Sequence, residues 1–206
     1  MLLTALDHLS LAVVVECGMT MKCTHLLAEA VGRALISFEH DEYMYSQVRG
    51  VCAYSPRLFA RWLPLGTSIN AQTELRTATA QQIQTVDTTY RSVSRQLSCW
   101  GDFDMLVVGT LSAARLSALR ELHTRARTII IRDTEPPEFV RYGYDRFVRE
   151  YGSEYIHYSY RPDGDWLWTD MFVAGEVDED LWTESLDRHT RNYFGRRTHF
   201  IFVRCG

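Results

Sequence analysis

The sequence lacks most of the features that define a class of protein by themselves. Lys22 is its only lysine, so nearly all of the 22 basic residues are arginine. The five cysteines are scattered without a CxxC pair, and the seven histidines include no HxH or HxxxH pair. A disulfide framework and a metal site are therefore not expected, and we predict reduced thiols.

Long apolar runs and excess charge are missing as well. No window approaches the roughly 20 apolar residues that span a bilayer. The apolar start has no basic segment and is interrupted by Asp7 and His8, unlike a signal peptide. A net charge of −4 gives no general attraction to nucleic acid or acidic membranes. These absences predict a soluble, cytoplasmic protein with no membrane partner and no specific nucleic-acid signal.

Short apolar runs alternate with segments of helical period along most of the chain. This pattern is typical of βαβ units and a parallel sheet. The run 11–15 is apolar throughout, as in a strand covered on both faces. FDMLVVGT, SAARLSALRELHTRA and RTIIIRDTE predict a strand, a helix capped by Ser112 and a second strand. Gly32 and Asp41 are predicted to end one helix and to cap the next.

We expect residues 1–206 to form a single α/β domain. The stretch 162–197 is rich in Asp, Trp and Glu and is predicted as an irregular or helical insertion. THFIFVRCG then supplies the last strand. Trp166 and Trp168 in the insertion could line a substrate pocket or a homodimer contact.

The turn ECGMTMKCT, directly after the first strand, is the most informative stretch for function. In open parallel sheets, ligands bind beyond the carboxyl ends of strands, where the strand order reverses. The helix that follows offers free N–H groups to such a ligand. Glu39 ends the next strand, and its carboxylate can accept hydrogen bonds from vicinal ribose hydroxyls. The glycine turn after the first strand and the acid at the end of the second together predict a nucleoside-binding arrangement.

At this point the sequence resembles a family. VVVECGMTMKCTHLLAEAVGRALISFEHDEYMYSQVR is similar to the first half of class I S-adenosylmethionine-dependent methyltransferases. The likeness is strongest to small-molecule members with the pattern E-x-G-x-G-x-S-T, helix, strand, F-E-x-D. The resemblance spans most of 11–160 and leaves 52–76 and 162–197 unmatched. It implies a Rossmann-like, doubly wound sheet of seven strands, mostly parallel with an antiparallel last strand.

The resemblance also implies a cofactor, S-adenosylmethionine, and the residues that bind it. Glu16 and Gly18 would begin the cofactor loop, and Thr20 stands in that loop where the family has a second glycine. Glu39 would hold the ribose hydroxyls, with His40 beside it.

The activity implied is methyl transfer to an oxygen or nitrogen of a small molecule. Asp133, at the mouth of the fifth strand, is the first candidate for a base or substrate orienter, and His157 is the second. Pairing of Asp133 with Arg132, a helix-capping role for Asp133 and simple packing of His157 remain open.

Two departures from the family pattern affect this interpretation. Thr20 is β-branched and cannot easily adopt the positive φ of a glycine, so either the turn or the cofactor should be placed differently. Gly109 replaces the acid that many members carry after the fourth strand. In metal-dependent members that acid is a ligand, so we expect no metal chemistry.

Two other functions remain open from the sequence. A catalytically inactive methyltransferase-like scaffold or binding module would explain Thr20 and Gly109, since a fold does not imply an activity. GMTMKCT also faintly echoes a phosphate-binding loop, but Met21 replaces its glycine and the spacing is one residue short.

Overall fold

The structure, a computed structural model, describes residues 11–66, 69–70, 73–161, 169–174 and 199–203. For 160–161, 169 and 199–203 it describes the backbone alone. Trp166, Trp168 and most of the predicted insertion lie outside these residues. None of the helices in the described ranges is both long and apolar enough to cross a membrane.

Eight strands form one sheet. They are β1 (Val13–Cys17), β2 (Ala34–Glu39), β3 (Leu58–Trp62), β4 (Phe103–Val108), β5 (Ala126–Arg132), β6 (Tyr155–Arg161), β7 (Thr169–Ala174) and β8 (His199–Val203). The α-helices of the described ranges are α1 (Met21–Ala30), α2 (Glu42–Val51), α3 (Ala80–Gln96), α4 (Ser112–Leu122), α5 (Pro136–Arg141) and α6 (Tyr144–Tyr151). Short 3₁₀ turns follow α3, α4 and α6.

The strand order is β3-β2-β1-β4-β5-β7-β6-β8. The first five strands in this order, β3, β2, β1, β4 and β5, are parallel to one another. In contrast, β7 is antiparallel to β5 and β6, and β8 is antiparallel to β6. The predicted α/β, Rossmann-like, mostly parallel sheet with an antiparallel last strand is confirmed. The order reverses between β1 and β4, which places the ligand-binding edge at their carboxyl ends.

One prediction about the C-terminal third is wrong. The stretch 162–197, expected to be irregular or helical, contains strand β7, so the sheet has eight strands instead of seven. Met171, Phe172 and Val173 of β7 are buried. This apolar run is too short to stand out among the neighbouring Asp, Trp and Glu residues.

Alternating side chains divide the core between the two faces of the sheet. On one face, Val14 of β1 and Ile130 of β5 belong to the same cluster as Leu27 of α1. On the other face, Val15 packs in a larger cluster with residues of α3, α4 and α6, such as Tyr90. Both faces are covered, which explains why the central strands are apolar at nearly every position.

The helix ends show which local signals are reliable. Asp41 caps α2 as predicted, since its Oδ1 accepts a hydrogen bond of 2.8 Å from the Met44 N–H. Ser112 does not cap α4; Leu111 occupies that position and Ser112 is the first helical residue. Gly32 does not end α1 either, because Val31 already turns into an extended conformation.

Candidate functional site

The turn after β1 is held against the end of β4. The Gly18 N–H donates to the Phe38 carbonyl at 2.9 Å, and the Gly109 N–H donates to the Cys17 carbonyl at 2.8 Å. Gly18 has φ of +94°, and a Cβ there would lie 2.5 Å from the Thr110 nitrogen. Only glycine fits both the conformation and the space, which allows the backbone of the two turns to meet.

Thr20 has a different role from the glycine that it replaces. Its backbone is extended, with φ of −137° and ψ of 146°, so the turn needs no left-handed residue at this position. Its Oγ1 accepts a hydrogen bond of 3.1 Å from the Cys23 N–H and thereby caps α1. The second glycine of the family pattern is thus replaced by a helix cap, and the turn is shaped differently.

Glu39 connects the turns after β1 and β2. Its buried carboxylate accepts hydrogen bonds from the Met19 N–H at 2.7 Å and from the His40 and Asp41 N–H groups at 2.8 Å. An ionised carboxylate has about four lone-pair positions, so few remain free. Oε1 takes the bonds from His40 and Asp41, whereas Oε2 accepts only the one from Met19, so Oε2 keeps a position for a ribose hydroxyl.

His40 lies across the mouth of the site. Its Nδ1 is 2.9 Å from Glu39 Oε1 and 3.4 Å from the Thr110 hydroxyl oxygen. The ring therefore links the end of β2 to Thr110, the residue after Gly109. It borders the space that the sequence assigns to a nucleoside.

Glu16 is completely buried beneath the same turn. Its Oε2 accepts hydrogen bonds from the Thr24 hydroxyl at 2.8 Å and the Ser37 hydroxyl at 2.7 Å. Its Oε1 is also buried and has no hydrogen-bond donor among the described residues. Burial raises the pKa of this carboxyl to about 7. An acceptor without a donor is costly unless a ligand or water supplies one.

Because of this burial, the stability of the protein should depend on the ionisation of Glu16. Its pKa lies above the ordinary value of 4.5, so the native state binds more protons than the unfolded state between pH 4.5 and about 7. The free energy of unfolding should therefore fall as the pH rises through this window, by at most about 3 kcal/mol.

Urea unfolding of wild type and Glu16→Gln at about pH 5 and pH 8 measures this contribution. The variant lacks the titrating group, so its free energy of unfolding should rise relative to that of wild type from the lower to the higher pH. Equal pH dependence of the two proteins would show that the Glu16 carboxyl does not titrate in this range.

Asp133, directly after β5, is held by the buried side chain of Arg115 from α4. It is the only non-glycine residue with positive φ in the described ranges, at 57°. Arg115 donates to its Oδ2 at 2.6 Å, to the Thr110 carbonyl at 2.7 Å, to the Arg132 carbonyl at 2.8 Å and to the Tyr144 hydroxyl at 2.9 Å. Asp133 thus pairs with Arg115, which ties the turns after β4 and β5 together.

His157 lies in a separate buried network. Its Nε2 is 2.9 Å from Asp170 Oδ2, and its ring stacks on Phe172 with centroids 4.3 Å apart. The Thr134 hydroxyl donates to the other Asp170 oxygen at 3.1 Å. Within the described ranges no hydrogen bond joins His157 to Asp133, although Thr134 is the next residue in the chain. The structure thus brings the predicted cofactor residues together and keeps the two predicted catalytic residues apart.

Several polar residues of the site are not among those predicted from the sequence. Ser37 could have been noticed, because it is the one polar residue of β2 before Glu39 at its end. The helix α4 contains several other polar residues, so the sequence does not single out Arg115. Asp170 lies in the stretch predicted as an insertion, and nothing in the sequence links it to His157. Lys22, which suggested a phosphate-binding loop, is exposed on α1, and the Thr24 hydroxyl is already bonded to Glu16.

Comparison with solved structures identifies the architecture. A putative methyltransferase from Streptococcus mutans in complex with S-adenosylhomocysteine matches with a TM-score of 0.57 at 10% identity, covering 84% of this chain and 95% of that one. The fold is that of the class I methyltransferases. An rRNA methylase from Streptococcus thermophilus matches with a TM-score of 0.56 at 11% identity, over 85% of this chain and 94% of its own.

The N-methyltransferase NodS from Bradyrhizobium japonicum WM9 has the same fold, with a TM-score of 0.53 at 12% identity, over 85% of this chain and 93% of its own. No protein-family model and no curated protein matches the sequence. The neighbours include proteins named as an rRNA methylase and as an N-methyltransferase, so the shared architecture does not decide the substrate.

Proposed function

We propose that the protein binds S-adenosylmethionine at the carboxyl ends of β1, β2 and β4 and transfers its methyl group to an oxygen or nitrogen of a small molecule. The observation that carries this proposal is a pair of buried carboxylates, Glu16 and Glu39, on either side of the Gly18 turn. Glu16 keeps one buried acceptor atom without a donor in the described ranges. This acceptor and the close-packed turn fit a ligand with hydroxyl and ammonium donors.

Each residue of the site has a role in holding this cofactor. The Glu39 carboxylate accepts a hydrogen bond from a ribose hydroxyl at Oε2, beside the Met19 N–H. The Gly18 turn lets the backbone approach the amino-acid end, and Glu16 Oε1 accepts from its ammonium group. When bound, the cofactor supplies an electrophilic methyl group on a sulfonium ion.

The chain contributes mainly position and desolvation to such a transfer. Asp133 uses one carboxylate oxygen for Arg115, and its side chain is 20% exposed. Its other oxygen can accept a hydrogen bond from the acceptor hydroxyl or amine and orient it. Where the acceptor must lose a proton, the buried His157–Asp170 pair is the second candidate for a base.

A small molecule fits the charge of this chain better than RNA does. RNA is a polyanion, and a net charge of −4 gives this chain no general attraction to one. An extract given S-adenosylmethionine with a labelled methyl group, with or without the purified protein, separates the alternatives. We expect protein-dependent label in the small-molecule fraction. Label confined to the RNA fraction would overturn the small-molecule assignment, and heat-treated protein is the control.

A further inference from the structure

Arg132 extends from the end of β5 across the end of β4. A Cβ built on Gly109 would lie 3.1 Å from Arg132 Cδ, 3.4 Å from Nη1 and 3.6 Å from Nε. The guanidinium therefore lies over the position where a side chain at 109 would stand. Because Gly109 has no side chain, the Arg132 guanidinium can occupy this space.

The two arginines of this edge are bonded very differently. Arg115 donates to four acceptors and is a structural residue. The Arg132 guanidinium is half-buried but forms no hydrogen bond or ion pair with any residue in the described ranges. Arginine presents a planar set of donors that matches a carboxylate in a bidentate manner. Its donors are thus available to an anionic ligand.

Arg132 faces Glu16 on the same side of the sheet. Glu16 alternates with Val14 and Arg132 with Ile130, and both apolar residues belong to the cluster beneath α1. Arg132 is close enough to favour the ionised form of Glu16, yet the two side chains do not form an ion pair. A guanidinium without a hydrogen-bond acceptor in the described ranges and a carboxylate oxygen without a donor therefore lie on the same face of the sheet, near the Gly18 turn.

We infer that Arg132 binds the carboxylate at the amino-acid end of the cofactor while Glu16 binds the ammonium group. This inference rests on the proposed function and deepens it. An α-amino acid is a zwitterion, so it matches a site that presents one cation and one anion. A carboxylate on the methyl acceptor would also suit Arg132, and the decarboxylated cofactor analogue distinguishes these two sources of the carboxylate.

Calorimetric titrations with two ligands test the inference without any activity measurement. One ligand is S-adenosylhomocysteine, and the other is its decarboxylated analogue, which keeps the ammonium group. Arg132→Met should weaken binding of S-adenosylhomocysteine about 10- to 100-fold, as expected for a lost charge-assisted bidentate contact. It should hardly change binding of the analogue. Glu16→Gln should weaken both ligands, since both carry the ammonium group.

Arg127→Met is the matched control, because Arg127 lies on the same strand and is exposed. It should bind both ligands as wild type does. If Arg132→Met binds S-adenosylhomocysteine as tightly as wild type, Arg132 does not bind the cofactor's carboxylate and the inference is wrong, with the acceptor's carboxylate left as the alternative. An equal loss for both ligands also overturns it. A wild type that binds neither ligand would overturn the proposed function itself.

Discussion

Replacing Gly18 with alanine should lower the free energy of unfolding by more than about 3 kcal/mol. The added Cβ would lie 2.5 Å from the Thr110 nitrogen and 2.6 Å from the Gly109 carbonyl carbon. Both are backbone atoms, so no side chain can rotate away to relieve the overlap. The left-handed φ of +94° adds strain for any residue with a Cβ. The turns after β1 and β4 would have to separate.

The expected size can be checked by urea unfolding against a matched variant. Gly66 has a similar φ of +86°, but a Cβ there meets no atom within 4 Å. Gly66→Ala should therefore cost only the backbone strain, about 1 kcal/mol. If both variants lost the same stability, the close approach of Gly18 to the turn after β4 would have no energetic importance.

Replacing Glu39 with alanine should weaken S-adenosylhomocysteine binding by about 100-fold or more. The substitution removes the acceptor proposed for the ribose hydroxyls. It also leaves the N–H groups of Met19, His40 and Asp41 without their acceptor, so the turns on both sides of the site lose support. Titration calorimetry measures the affinity, and urea unfolding measures the accompanying loss of stability.

Two further variants separate binding from folding. Glu39→Gln keeps the shape and one oxygen acceptor, so it should remain folded and still bind more weakly than wild type. Glu42→Ala removes an exposed carboxylate three residues away and should bind normally. Wild-type affinity in Glu39→Gln and Glu39→Ala would remove Glu39 from the binding site.

The parallel part of the sheet can be predicted from the sequence because its signals are local. Strands β1, β2, β4 and β5 are apolar runs with a turn at each end, and the helices between them have helical periodicity. The carboxyl ends of parallel strands share one edge, so the sequence alone is enough to place Glu16 and Glu39 together. The cap at Asp41 is predictable because capping depends on immediate neighbours.

The other features of the site depend on contacts between distant parts of the chain. Asp170 reaches His157 only because β7 inserts between β5 and β6, an order that local sequence does not encode. Arg132 lies over Gly109 because β4 and β5 are neighbours and residue 109 has no side chain. Thr20 stands where the family has a loop glycine, but its backbone is extended and its side chain caps α1. The sequence does not specify this backbone conformation.

The central claim is that this edge of the sheet still binds the cofactor of the class I methyltransferases. Calorimetric titration of the wild-type protein with S-adenosylhomocysteine tests it most directly. Buried carboxylates at Glu16 and Glu39 beside the Gly18 turn predict saturable binding of one ligand per chain. Absence of any heat of binding, together with no change in melting temperature at saturating ligand, would contradict the claim and favour a fold kept as a scaffold.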